Sequence, residues 1–102
     1  MVGVLESRRA QIAAACVRHG VMRLDAFGSA VCGHFRPGDS DVDLLVELGP
    51  MDTHARIDAY FGLLDELRDI LGTGVDLVMV DAVKNRYIAA DIARTKQTLY
   101  AA

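Results

Sequence analysis

The stretch Asp41 to Leu48, DVDLLVEL, constrains the fold more than any other part of the chain. Its β-branched and apolar residues, closed by Gly49-Pro50, describe a strand buried in a sheet. Yet it opens with two acids. Side chains alternate along a strand, so Asp41 and Asp43 share one face, while Val42, Leu44 and Val46 point the other way into a core. Carboxylates so placed have Cα atoms about 6 to 7 Å apart and repel each other unless something positive lies between them. A hard divalent cation such as Mg2+ relieves the repulsion and keeps positions open for water and phosphate oxygens.

Helical and strand patterns alternate around this segment. Leu5, Ile12, Cys16 and Val17 recur at near-helical spacing between Val4 and His19, with Gly20 as a stop. Val21 to Phe27 reads as a strand that Gly28-Ser29 breaks, and a short helix over Ala30 to Phe35 ends in the turn Arg36 to Asp39. From Thr53 to Leu71, the residues Ile57, Tyr60, Phe61, Leu64, Leu67 and Leu71 form a helical stripe, and the aromatic pair is expected in the core. Val75 to Val80 is a further buried strand, Val83 to Arg94 a last helix, and Gln97 to Tyr100 a short terminal strand. This order predicts an α/β (α+β) domain, a small sheet with helices packed on it. The pattern leaves strand direction open.

With 102 residues the chain makes a single domain, 1–102, with little room for a second lobe to hold a substrate. An acceptor would then be gripped partly by another chain. The composition, 52% apolar and 25% charged, is that of a globular protein, and no basic stub followed by an apolar run marks a secretory signal, so a cytoplasmic location is expected. A formal charge of −3 without a basic stripe argues against direct nucleic-acid binding. Cys16 and Cys32 lack CxxC spacing and are expected to be free thiols. His19, His34 and His54 show no zinc-ligand spacing and are expected at the surface or in loops.

Two further features bear on the acidic strand. Asp76, between Val75 and Leu77, adds a third carboxylate to Asp41 and Asp43 if its strand pairs beside theirs. Gly28-Ser29 offers a backbone that a phosphate can approach closely, with free N–H groups and a hydroxyl to hold its oxygens. Either feature alone has an ordinary structural reading, as a cap or as turn carboxylates. Together they describe a pocket for a metal-bound polyphosphate and an in-line displacement.

The stretch FGSAVCGHFRPGDSDVDLLVEL resembles the signature of the nucleotidyltransferase superfamily that includes DNA polymerase β, and the ending VDLVMVDAVKNRYIAADIARTKQTLYAA is similar to that of the minimal nucleotidyltransferases. The resemblance covers nearly the whole chain. It implies a mixed sheet flanked by helices, with two Mg2+ ions held by Asp41, Asp43 and Asp76, which are also the catalytic carboxylates. It implies that Gly28, Ser29 and Ser40 contact the nucleotide. Cys32 stands where the family often has Arg, and the loop from Ala30 to Ser40 is one residue longer than the commonest form. Neither change removes a metal ligand.

Members of the minimal subgroup are commonly paired with a HEPN-domain protein. The resemblance implies an antitoxin that transfers AMP from ATP to a tyrosine of a HEPN ribonuclease toxin. Two alternatives stand beside it: neutralisation by binding and occlusion, and nucleotidyl transfer to a small molecule. His34, Arg36 and the segment Lys84 to Tyr87 are candidates for the surface at the mouth of the site.

Overall fold

The acidic segment forms an inner strand, β2 (Val42–Leu48), with Val42, Leu44 and Val46 fully buried on one face and Asp43, Leu45 and Glu47 on the other. This is a computed structural model of the chain, and it describes residues 3–28, 31 and 41–102. The expected helix over Ala30 to Phe35 and the turn Arg36 to Asp39 lie outside the described residues, as do Ser29, Cys32, His34 and Ser40. β1 (Val21–Phe27) runs antiparallel to β2, and β3 (Val75–Met79) runs parallel to it. β4 (Gln97–Ala101) pairs antiparallel with the far side of β1, so the described sheet has the order β3-β2-β1-β4 and is mixed.

The first expected helix is divided at Arg8 into α1 (Gly3–Ser7) and α2 (Arg9–Arg18). Hydrogen bonds from Arg8 N to Val4 O and from Ile12 N to Arg8 O carry the helical path across the break. Its buried face is Leu5, Ile12, Ala15 and Cys16, whereas Val17, expected on that face, is 65% exposed. Four residues on from Ile12 the helix returns to Cys16, and Val17 lies a further 100° round. Cys16 is a buried free thiol, and burial pushes its pKa up to about 12, which makes it a small hydrophobe without nucleophilic character.

α3 (Thr53–Leu71) is capped by Asp52, whose side chain accepts from Ala55 N at 2.8 Å. It buries Ala59, Leu63, Leu64, Leu67 and Leu71. Tyr60 packs against the core as expected, but Ile57 and Phe61 lie outside it, at 51% and 57% exposed, because the Leu63–Leu67 side faces the sheet. His19, expected at the surface or in a loop, lies in the turn that ends α2, with its side chain largely buried 3.4 Å from Glu66.

α2 and α3 cover one face of the sheet and close the main core, each fully buried Leu or Val contributing about 1.5 to 3 kcal/mol of transfer free energy. The last helix, α4 (Arg86–Thr95), starts three residues later than expected. A 3-10 turn, Val80–Ala82, intervenes, and Asn85 caps the helix by accepting from Tyr87 N and Ile88 N. Ile92 on α4 and Leu45 on β2 are buried outside the main core and line one small cavity together. Leu45 alternates with the core-facing Leu44 and Val46, so α4 lies over the opposite face, the one that carries Asp43. Among the described residues no helix is long and apolar enough to cross a membrane.

Candidate active site

Strand register builds the site. Phe27 is opposite Asp43 across the β1–β2 ladder, and Asp43 is opposite Asp76 across the β2–β3 ladder. One row of side chains therefore crosses three strands on the α4 face, with neighbouring strands about 4.7 to 4.9 Å apart. Asp41 stands two residues before Asp43, just ahead of β2, where Val42 N donates to Gly74 O at 2.9 Å and starts the parallel ladder. Its carboxylate lies so close over Gly74 that a Cβ there would collide with it. The strand of Asp76 thus pairs beside that of the Asp-x-Asp pair, parallel to it, with Asp76 opposite Asp43.

Gly28 follows β1 directly and takes φ +65, a left-handed conformation that costs other residues about 1 to 2 kcal/mol. A Cβ at Gly28 would stand 2.7 Å from Asp43 Oδ2. Backbone and carboxylate are therefore in direct apposition, as a phosphate bridging a cation and an amide would require. Gly28 N–H donates to Thr95 Oγ1 at 3.3 Å, which ties the end of α4 to this turn. Ser29 and Ser40, the other expected nucleotide contacts, lie outside the described residues.

Asp43 is pushed above the ordinary aspartate pKa, first by burial and then by the negative charges of Asp76 and Asp41. Among the described residues, none of the three acids forms an ion pair with Arg, Lys or His. The donor set is hard oxygen with uncompensated negative charge, which suits Mg2+ in chemistry. In geometry the set is open: among the described residues no three Asp, Glu, His or Cys side chains are grouped tightly enough to hold a metal ion.

Beside Asp76 a cavity of about 490 Å3 runs under α4, walled by Phe27, Val83, Asn85 and Ile88 with Lys84 at its edge. Its volume falls in the range of small-ligand sites. The segment Lys84 to Tyr87, expected near the mouth, supplies Lys84 and Asn85 to it. Phe27, Val83 and Ile88 were not foreseen as walls, although Phe27 sits next to Gly28 in the strand. Thr95 carries no local signal at all. A somewhat larger groove, about 530 Å3, lies between α3 and β3 and holds none of the three acids.

The pattern describing the nucleotidyltransferase domain matches residues 9–99. The chain belongs to that family. A solved structure provisionally described as a minimal nucleotidyltransferase is 31% identical, with a TM-score of 0.69, over 91% of this nucleotidyltransferase and 90% of that chain. A provisionally named protein adenylyltransferase of Methanocaldococcus jannaschii is 43% identical over 53 residues, spanning 52% of this chain and 51% of that protein. The nucleotidyltransferase also shares its fold with a chain from a complex of tri-AMPylated Shewanella oneidensis HEPN toxin with MNT antitoxin. That match has a TM-score of 0.59 at 17% identity and covers 96% of this chain and 73% of the other.

Proposed function

We propose that this nucleotidyltransferase is an antitoxin that transfers AMP from ATP to a tyrosine hydroxyl of a HEPN-domain ribonuclease toxin. The observation that carries the reading is the apposition of Asp43 to Gly28 in register with Asp76. It sets a backbone without a Cβ, which a phosphate can approach closely, beside two carboxylates. The fold shared with an MNT antitoxin, seen in complex with an AMPylated HEPN toxin, supports the choice of acceptor. The family itself supports nucleotidyl transfer.

In this reading Asp41, Asp43 and Asp76 are the residues that would hold Mg2+, and a bound cation would supply neutralisation of phosphate charge. Gly28 presents its N–H to a phosphate oxygen once Thr95 Oγ1 gives up that contact, and Ser29 and Ser40 complete the nucleotide's polar contacts. The cavity under α4 receives the remainder of the nucleotide between Phe27 and Ile88. The tyrosine oxygen bonds to the α-phosphorus as the bond from that phosphorus to the bridging oxygen breaks. Pyrophosphate leaves, and the hydroxyl proton passes to Asp76 or to water.

Intact-mass measurement on the chain incubated with ATP, Mg2+ and a HEPN-domain partner, sought first as the product of the neighbouring gene, tests the reading. The partner should gain one or more AMP masses, and Asp43→Asn should abolish the gain while leaving the fold intact. A stable complex with no mass gain would assign neutralisation to occlusion. AMP appearing on a small molecule with no partner present would favour the small-molecule reading.

A further inference from the structure

The groove between α3 and β3 is a second surface of distinct chemistry. Ile57 and Phe61, the two large apolar residues of α3 left outside the core, form its outer wall, and Leu77 and Met79 form its floor. Val78 and Ala82 wall both this groove and the cavity that contains Asp76. The groove therefore adjoins the candidate active site across the outer edge of β3. Whatever fills it lies beside that cavity.

Its chemistry narrows the occupant. The carbonyl of Gly74 faces β2, so by alternation that of Leu77 faces outward, and the Tyr60 hydroxyl donates to it at 2.5 Å. That contact closes the middle of the edge to an added strand, and the groove is left to take side chains. Along α3 the exposed Asp58 and Asp65 lie beside the Ile57–Phe61 row at helical spacing, Asp58 with His54 3.7 Å away, and Asp81 lines the opposite rim. Arg56 is the one cation among the described lining residues, and it is bound to Asp81 at 3.3 Å. A second copy of this chain would bring acidic rim against acidic rim, which opposes self-association through this face.

We infer that this groove docks the acceptor protein through an apolar segment flanked by Lys or Arg. The inference rests on the proposed function for its occupant. An RNA-cleaving acceptor carries basic surface to meet phosphates, and that surface complements the rim. Docking here, beside Asp76, also supplies the grip that a one-domain enzyme lacks.

The test is calorimetric binding of Phe61→Glu, Ile57→Glu and Asp43→Asn to the HEPN-domain partner of the proposed function, with Mg2+–ATP binding and thermal melting measured in parallel. Phe61 and Ile57 are exposed, so their variants should melt as wild type and bind Mg2+–ATP unchanged. Both should lose affinity for the HEPN protein by about tenfold or more, the behaviour of an apolar anchor at an interface. Asp43→Asn should bind the HEPN protein as wild type does. Wild-type affinity in both groove variants overturns the inference, as does failure of the wild-type chain to bind the HEPN protein at all. A groove variant that only changes the oligomeric state of the free chain assigns the face to self-association and overturns it too. If groove variants lose binding but wild type transfers no AMP, the docking site stands and the transfer reading falls. If they transfer AMP at the wild-type KM, the docking site falls and the transfer reading stands.

Discussion

Asp43 is the residue on which the site turns, because three environments meet at its carboxylate: a half-buried strand, the neighbouring acids Asp76 and Asp41, and the Gly28 backbone. Burial and like charge both disfavour its ionised form, so its folded-state pKa lies above its unfolded value. A raised carboxyl pKa contributes stability that is fully present below the unfolded pKa and is lost as pH rises through the folded one. The metal-free protein should accordingly lose stability across that interval as pH rises, and Asp43→Asn should remove this part of the pH dependence. At neutral pH the variant should melt above the metal-free wild type. Melting curves across the acid range, in chelator, check this, and an unchanged pH profile in the variant would contradict it. The same residue would thus lower metal-free stability while serving function, a trade found at sites that gather charge.

At the scale of elements, β1 shows how a strand can hold an acid in its interior. Asp25 is 2% exposed, the one charged residue among the described core positions, and Arg23 Nε bonds both its oxygens at 3.0 and 3.1 Å. Arg23 Nη2 continues to Thr98 Oγ1 on β4 at 2.9 Å, so the pair fastens the terminal strand to β1. Removing one partner of a fully buried pair costs about 3 to 5 kcal/mol. Arg23 is half-exposed, so Arg23→Ala should cost about 2 kcal/mol, read as a lower urea midpoint at unchanged slope. A loss under about 0.5 kcal/mol would show that water replaces the guanidinium. Asp25 and Arg23 sit two apart in an ordinary strand pattern, and nothing in that spacing reveals the burial. It arises from what β4 and α4 bring over the face.

At the scale of the whole molecule, the described residues pack in two unequal layers. The main core, under α2 and α3, holds the fully buried Leu24, Leu44 and Leu63, and the smaller layer under α4 holds Ile92 and Leu45. Leu44→Ala should cost about 2 to 5 kcal/mol of global stability. Ile92→Ala, beside cavities already present under α4, should cost clearly less and act locally. Hydrogen exchange checks the difference: loss of Ile92 should speed exchange in α4 while leaving β1 and β2 protected. Equal loss of protection throughout would mean a single cooperative core. The lightly packed layer is also the one that roofs the acidic row.

Most elements, and the shared face of Asp41 and Asp43, were legible because strand alternation and helical spacing are local, set by backbone geometry within a few residues. The core positions Val42, Leu44 and Val46 follow from the same rule. Local pattern misplaced Val17 and Phe61 because it marks an apolar stripe without saying which part of it meets the sheet. It also started the last helix at Val83 because Asn85's capping role depends on where its side chain lands. Tertiary structure alone decided that β3 lies parallel beside β2, bringing Asp76 opposite Asp43. It alone set Thr95 against Gly28 and laid α4 over the acids. Those contacts join residues tens of positions apart, and their geometry comes from strand register and helix packing, which no short stretch of sequence encodes.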